Sequence, residues 1–206
     1  SQEDVKLLQN RVKDAKLAFH TNGVNFASQP LDIYNPNKIC FVGNMRTLQN
    51  QEAVLYFVDE ILPLLVKHNP RIVFYIVGDQ PSARIKRLAN DKNIVVTGFV
   101  DSVEEVLADA CLAVAPVHIA AGIQNKILVA MGQRIPVVLS SLVAKAIPEL
   151  VDGENCYIRD TREDFCNACI NIMEDAEKRT TLAENGYEMV KENYNWMKKL
   201  MGYEKI

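Results

Sequence analysis

The residues from Ala115 to Ser141, APVHIAAGIQNKILVAMGQRIPVVLSS, combine small residues, a lysine and a helical pattern that together could bind an anion. Their order predicts a strand end, a glycine loop, a helix at Gln124–Met131, a turn and a buried strand. Gly122 and Ile123 would lie at the amino end of that helix, where backbone N–H groups and the helix dipole attract negative charge. Lys126 falls in the first turn, where a cation opposes the dipole unless an anion is nearby. It could equally be a solvated helix lysine.

The elements that must position this stretch follow a β–α repeat. From residue 38 to residue 157, continuously apolar runs alternate with helical periodicity, as parallel strands buried on both faces require. We predict strands at Ile39–Val42, Ile72–Val77, Ile94–Thr97, Leu112–Ala115, Pro136–Leu139 and Asn155–Ile158. We predict helices at Gln51–Lys67, Ala83–Leu88, Val103–Ala108 and Gln124–Met131, and a short one near Val143–Ile147. This order indicates an α/β fold with a doubly wound, parallel, Rossmann-like sheet of about six strands, whose ligands bind at the carboxyl ends of the strands.

The two ends of the chain have other patterns. Thr161–Glu174, Ala176–Asn185 and Tyr187–Met201 predict three helices, with a break at Gly186, that form a helical C-terminal cover. Ser1–Val12 predicts an amphipathic helix, and the strand-like sequence AKLAFH follows it. Neither end continues the β–α repeat.

Composition excludes several classes of protein. The chain has 206 residues, of which 49% are hydrophobic and 24% charged, and its net charge is −3, as in globular proteins with a sizeable core. No basic cluster stands out, so we expect no nucleic-acid partner. No apolar run approaches the roughly 18 residues of a membrane span. The charged stretch Ser1–Lys16 does not resemble a signal peptide, so we expect a cytoplasmic protein without a transmembrane segment.

The cysteines predict neither a metal site nor a redox centre. They are odd in number, and no second C-x-x-C or histidine pair accompanies Cys166 and Cys169. That pair lies in the middle of a predicted helix rather than at a helix start. We therefore expect reduced, structural thiols and no bound metal. The chain also lacks G-x-G-x-x-G and a Walker motif, which weakens the case for nicotinamide or flavin binding and disfavours a phosphate-loop nucleotidase.

Several motifs resemble the family 4 group of retaining glycosyltransferases of the GT-B fold. The segment GIQNKILVAMGQRIPVV is similar to their donor-binding segment. In chain order, FVGNM, FYIVGDQP, NIVVTGFVDSVEEVLADACLAVAPV and IPELVDGENCYI resemble the first strand and loop, the second strand, the base-contacting segment and a late acidic turn. The likeness begins at Thr21 and covers nearly all of the chain that follows.

The resemblance implies one half of a GT-B enzyme, because TNGVNF is similar to the turn that joins its two domains. Residues 1–30 would then end an N-terminal domain and its linker, and residues 31–206 would form the Rossmann-like nucleotide-sugar-binding domain. The last helix would cross back toward the partner domain or simply cover the sheet. We expect a fragment that lacks its N-terminal GT-B domain and is inactive alone.

The resemblance further implies transfer of a sugar, with retention, from a UDP- or GDP-type nucleotide sugar. The acceptor would be an unidentified glycan or lipid-linked molecule, in polysaccharide or glycan biosynthesis, and no metal or other cofactor would be needed. The missing half could hold the enzyme at the inner membrane.

The resemblance also implies roles for single residues. Lys126, with the amides of Gly122 and Ile123, would stabilise the charge of the departing diphosphate. The backbone near Gly98 would hold the base. Gln124 and Asn125 would contact sugar hydroxyls. The donor-binding positions follow strand ends or lie on the helix: Gly43, Asn44, Arg46, Gly98, Phe99, Val100, His118, Gly122, Ile123, Gln124, Asn125 and Val129.

Three positions depart from the family pattern. Val129 stands where relatives carry a glutamate that bonds the ribose, and loss of such a charged hydrogen bond costs about 1.5–3 kcal/mol. His118 stands where relatives often carry a phosphate-binding arginine, although it could be a loop histidine bonded to backbone. Asn44 takes the place of another arginine, and Arg46 could replace that arginine or be solvated.

Two other functions stay open. The departures at Val129 and His118 favour a catalytically degenerate GT-B-like domain that acts as a binding or interaction module. An epimerase or phosphorylase of the same fold is disfavoured, because the distinct histidine and glutamate residues of the 2-epimerases are not found. Binding of a nucleotide sugar would distinguish the glycosyltransferase from the degenerate binding domain.

Overall fold

The computed structural model describes residues 23–26, 34–119 and 124–196. The helix predicted at Ser1–Val12 and the strand-like AKLAFH lie outside these residues. In chain order the elements are β1 (Asn35–Val42), α1 (Leu48–Tyr56), a π-helical turn (Phe57–Ile61), α2 (Leu62–His68), β2 (Val73–Val77), α3 (Ala83–Arg87), a 3-10 turn (Leu88–Asn90), β3 (Ile94–Gly98), α4 (Val103–Leu107), β4 (Ala110–Ala115), α5 (Asn125–Gly132), β5 (Val137–Leu139), α6 (Ser141–Ala144), β6 (Tyr157–Ile158), α7 (Arg162–Glu174) and α8 (Ala176–Asn193).

The six strands form one parallel sheet in the order β3-β2-β1-β4-β5-β6. This confirms the predicted doubly wound, Rossmann-like sheet of about six strands. The chain moves outward from β1 in one direction and from β4 in the other. Right-handed crossovers therefore place α1 and α5 on opposite faces of the sheet. The amino ends of both helices meet at the carboxyl ends of β1 and β4, where a doubly wound sheet binds ligands.

Apolar side chains fill both faces of the sheet. Every residue of β4 and β5 is buried, as the continuous apolar runs predicted. On one face the ring of Phe57, in the π-helical turn, lies 4.3 Å from that of Phe74 and 6.2 Å from that of Phe165 in α7. These three rings fix the helices of that face to β2. Over residues 23–26, 34–119 and 124–196, no helix has the length and hydrophobicity that a membrane span requires.

Helix α8 corrects the prediction of a break at Gly186. It runs without interruption from Ala176 to Asn193, so the separate helices predicted at Ala176–Asn185 and Tyr187–Met201 are wrong. A Cβ atom at Gly186 would lie 3.1 Å from the Met131 side chain and 3.2 Å from the Asn155 carbonyl oxygen. The glycine therefore allows α8 to pack closely on α5, which offsets its cost of about 1 kcal/mol within a helix. Residues 197–201 lie outside the described part.

The predicted short helix near Val143–Ile147 begins earlier than expected. It starts at Ser141, whose N–H donates to the Asp160 carboxylate at 2.8 Å. This contact joins residues from two separate loops, so the local sequence carries little signal for it.

Residues 23–26 pack against the ends of two helices. Val24 forms a parallel bridge with Asn195, just after α8. The carbonyl oxygen of Asn25 accepts a hydrogen bond of 3.3 Å from Gln133, just after α5. This early segment is thereby attached to the C-terminal helical cover and to α5.

Candidate functional site

Glycines connect the carboxyl ends of the first three strands. The N–H of Gly43, after β1, donates to Val77 in β2 at 2.9 Å, and the N–H of Gly78 donates to Gly98 in β3 at 3.2 Å. Gly78 has φ +152°, and a Cβ atom there would lie 1.8 Å from the Gly43 carbonyl oxygen. Only glycine permits this approach. The loop after β1 is therefore held directly against the end of β2.

The side chains of that loop have different roles. Asn44 accepts a hydrogen bond of 2.9 Å from the Arg46 N–H, so its side chain closes the turn. Met45 is fully buried, and its N–H donates to Asp79 at 3.0 Å. Arg46 is exposed and takes part in none of the ion pairs of the described residues. Within this loop, Arg46 is the side chain able to supply positive charge to a ligand.

Lys126 reaches from α5 across the end of β1. The helix begins at Asn125, which is exposed, after the buried Gln124. The Lys126 ammonium donates to Oδ1 of Asn50 in α1, and Nζ lies 4.4 Å from the centroid of the Phe41 ring in β1. Helices on opposite faces of the sheet thus share one polar contact over its carboxyl edge.

Burial leaves the Lys126 charge incompletely compensated. Removal from water lowers the pKa of Lys126 from its usual 10.5 to about 8. Among the described residues, no carboxylate forms an ion pair with it. An amide oxygen and an aromatic face offset only part of the desolvation cost of an ammonium ion. A bound anion would offset more, so the environment of Lys126 suits a phosphate.

Two further predicted positions lie beside α5 and within it. His118 is exposed after β4, and its ring packs edge-on against Tyr56 at a centroid distance of 4.3 Å. Val129, one turn beyond Lys126, is half-buried and packs against the core. No carboxylate occupies the Val129 position, so the helix offers no acceptor there for ribose hydroxyls.

The end of β3 has a single exposed aromatic ring. The Gly98 carbonyl oxygen already accepts bonds from the Gly78 N–H and from the Thr97 hydroxyl at 2.9 Å. Both of its lone pairs are engaged, which leaves it little capacity to bind a base. Phe99 is 70% exposed, and Val100 is half-buried. Contacts with a planar ligand would therefore fall to these two residues.

The sheet topology brings the predicted positions of the described chain to one edge, because each follows the carboxyl end of a strand or, like Val129, lies within the first turns of α5. Gly122 and Ile123 lie outside the described residues. Sequence reasoning missed that Asn50 contacts Lys126. The two residues are 76 positions apart, so no local pattern could reveal their contact.

Cysteine chemistry and a metal cluster find no support at this edge. All five cysteines are buried free thiols, and burial raises the pKa of Cys111 to about 11. Buried thiols of raised pKa are poor nucleophiles at neutral pH. In the described part of the chain, no three histidine, cysteine or acidic side chains are grouped to hold a metal ion.

Known proteins share this sequence pattern and this fold. The family model described as glycosyl transferases group 1 matches residues 36–175. An uncharacterized glycosyltransferase of Methanocaldococcus jannaschii is 29% identical over 184 residues, which are 84% of this chain and 45% of that protein. The chain spans about half the length of the curated relatives it matches.

Solved glycosyltransferase structures share the fold of this chain. A variant of S. aureus TarM, crystallised with fondaparinux, α-GlcNAc-glycerol and UDP, superposes with a TM-score of 0.80 at 14% identity, over 100% of this chain and 42% of that one. The C-terminal domain of a group 1 glycosyl transferase (LpcC) from Francisella tularensis has a TM-score of 0.64 at 20% identity, over 84% of this chain and 96% of that domain. Fold, motif order and family match agree, and this chain belongs to the group 1 glycosyl transferases.

Proposed function

We propose that this chain is the donor-binding half of a glycosyltransferase that uses a nucleotide sugar, with the donor diphosphate bound over the carboxyl end of β1. The observation that carries this proposal is Lys126, a half-buried cation without a carboxylate partner in the described residues. UDP is bound in the TarM structure, whose fold this chain shares. A UDP- or GDP-type donor fits a site of this charge.

The diphosphate would take the counter-charge that Lys126 lacks. As the sugar leaves, negative charge develops on the β-phosphate, and a fixed cation stabilises it. Arg46, on the loop after β1, would supply a second positive group. These two side chains provide charge that a metal ion would otherwise bring, so we propose transfer without a metal cofactor.

The finer features of the activity are part of the same proposal. We place residues 1–30 at the junction with an N-terminal GT-B domain and residues 31–206 in the donor domain. The N-terminal domain would hold the glycan or lipid-linked acceptor of a retaining, cytoplasmic transferase in polysaccharide assembly. The described structure supports this division because its single sheet offers one wall of a cleft.

Titration with UDP tests the proposal. We expect this chain to bind UDP with a Kd between high micromolar and millimolar, and to transfer no sugar from UDP-glucose, because half of a cleft cannot position both substrates. NMR shifts should concentrate on residues 43–46, 98–101 and 116–126. Shifts confined to other surfaces would contradict the site, and turnover above a protein-free control would contradict the division of labour.

A second function is favoured by one observation. Val129 leaves the helix without an acceptor for ribose, as expected of a degenerate domain that binds a partner instead of a donor. The UDP titration separates the two functions, because the degenerate domain would show no saturable binding.

Restoring a carboxylate at Val129 should strengthen nucleotide binding. We expect Val129→Glu to lower the Kd for UDP about ten-fold or more, since one charged hydrogen bond contributes about 1.5–3 kcal/mol. Helical side chains lean toward the amino end, so this glutamate would lean toward the phosphates and ribose. Isothermal calorimetry measures the change.

Two matched variants show whether the gain comes from the carboxylate charge at position 129. Val129→Gln keeps the size but removes the charge, and it should recover little of the gain. If Val129→Glu instead paired with Lys126, UDP affinity would not rise, and Lys126→Met would cost the Val129→Glu variant less affinity than it costs the wild type. No gain in Val129→Glu, with the full cost of Lys126→Met retained in that variant, would place the ribose elsewhere.

A further inference from the structure

Asn50 occupies an unusual place beside the site. It is a polar side chain on α1 with only 5% exposure. Its Nδ2 donates to the Asn44 carbonyl oxygen at 2.9 Å, and its Oδ1 accepts from the Lys126 ammonium. A Cβ atom on Gly43 would lie 2.7 Å from this amide, so the loop after β1 is closed tightly around it. Buried amides with both ends bonded have one fixed orientation.

We propose that Asn50 is a positioning residue, which holds the Lys126 ammonium over the end of β1 in the orientation that meets a donor diphosphate. This inference rests on the proposed function and extends it to a residue on the opposite face of the sheet. A lysine side chain has four rotatable bonds and loses rotamer freedom when it is fixed. Asn50 and the Phe41 ring fix it before the ligand arrives, which lowers the cost of binding.

A neutral amide suits this task better than a carboxylate. It accepts one hydrogen bond from the ammonium but does not neutralise the charge. Lys126 therefore keeps its net positive charge for the ligand. An aspartate at the same place would form a closed ion pair and repel a diphosphate.

Other charged groups do not interfere with this contact. The titratable side chains on the elements around the amino end of α5 and the end of β1 include Arg46, Glu52, Tyr56, Asp79, Glu104, Glu105 and His118, and α8 adds further charged groups at the other end of α5. None forms an ion pair with Lys126, and burial alone accounts for its lowered pKa. Helix α8 packs against the other end of α5, at Met131. The Asn50 amide is thus the polar group that a substitution can change selectively.

Two substitutions of similar size separate positioning from simple structural support. Asn50→Asp and Asn50→Leu both lose the amide donor to the Asn44 carbonyl oxygen. If Asn50 only supported the loop, both variants would therefore change the properties of Lys126 in the same direction. Their effects on Lys126 should be opposite. Asn50→Asp adds a negative charge and raises the Lys126 pKa, whereas Asn50→Leu removes an acceptor and lowers it further.

The experiment follows the Lys126 ε-carbon by NMR during a pH titration of the free chain, and then measures UDP affinity by calorimetry. We expect a midpoint near pH 8 in the wild type, about one pH unit or more higher in Asn50→Asp, and lower in Asn50→Leu. UDP affinity near neutral pH should fall about ten-fold in Asn50→Asp. Asn69→Asp, the same change just after the carboxyl end of α2, should alter neither the Lys126 midpoint nor the UDP affinity.

The outcomes distinguish this inference from the proposed function. The positioning role would be overturned, even if UDP binds, if the Lys126 midpoints of the two Asn50 variants equal that of the wild type or shift in the same direction. If the midpoints separate as expected but wild-type protein does not bind UDP, the proposed function fails, and with it the purpose assigned to Asn50. Separation of the midpoints together with loss of UDP affinity supports both.

Discussion

Gly78→Ala should lower the free energy of unfolding by about 3–5 kcal/mol, a large fraction of the total stability of a typical domain. A methyl group at this position would lie 1.8 Å from the Gly43 carbonyl oxygen, an atom of the backbone that cannot rotate away. The φ of +152° adds strain for any residue with a side chain. Equilibrium unfolding in urea measures the loss as a lower midpoint.

Two other glycines provide matched controls. Gly98 and Gly153 also have positive φ, +68° and +76°, but a Cβ atom at either would meet nothing within 4 Å. Gly98→Ala and Gly153→Ala should therefore cost only the conformational strain, about 1 kcal/mol each. If all three variants lose the same free energy of unfolding, the contact with the Gly43 carbonyl oxygen is not what makes glycine necessary at position 78.

Lys126→Met should weaken UDP binding by about ten-fold to a hundred-fold near neutral pH, because it removes a charged hydrogen bond of about 1.5–3 kcal/mol. Methionine keeps the apolar contact with the Phe41 ring, so the loss reports the charge. Lys191→Met removes a lysine from a surface pair with Glu188 on α8 and should leave UDP affinity unchanged. Equal affinities of wild type and Lys126→Met would place the diphosphate elsewhere.

The pH dependence of this interaction has a definite sign. UDP prefers the protonated lysine, so wild-type affinity should be highest below the Lys126 pKa of about 8 and fall as the pH rises through that value. Above about pH 7 the phosphate is fully ionised, since its second pKa is about 6, and histidine is neutral. Calorimetry from about pH 7 to 8.5 stays below the ionisation of the uracil imide and therefore follows Lys126, and Lys126→Met should show a nearly flat profile in this range.

Protein stability should depend on Lys126 in the opposite sense. The folded pKa is about 8 and the usual value is 10.5, so between these values the unfolded chain binds more protons than the folded one. The contribution of Lys126 to stability then rises with pH across this window, and its cost is complete below pH 8. Any stability advantage of Lys126→Met over wild type should shrink from pH 8 to 10.5, as thermal unfolding can measure.

The sequence predicted those parts of the fold that local apolar patterns determine. Five of the six strands lie within two residues of their predicted bounds, and β1 begins four residues earlier than predicted. The agreement follows because a strand buried on both faces must be continuously apolar, as β4 is. The break at Gly186 was wrong because helix propensity is local, whereas this glycine serves a contact with Met131 on another helix. Tertiary packing overrides propensity at such positions.

The candidate site was only partly predictable for the same reason. The sequence indicated Lys126 and its place near the amino end of α5, since helical spacing and glycines are local features. It could not indicate the direction of the side chain, which depends on Asn50 in a helix on the other face of the sheet. It also could not show that the Gly98 carbonyl oxygen is already bonded twice.

The bridge between Val24 and Asn195 has a consequence for folding kinetics. It closes a loop of about 170 residues, the kind of contact whose entropic cost is met only after the intervening chain is ordered. We expect it to form after the folding transition state and to open before the sheet does. Amide exchange at Val24, whose N–H donates to Tyr194 at 3.1 Å, should then be faster than in β4 and insensitive to global stability. Mutations in this bridge should speed unfolding and leave the folding rate nearly unchanged.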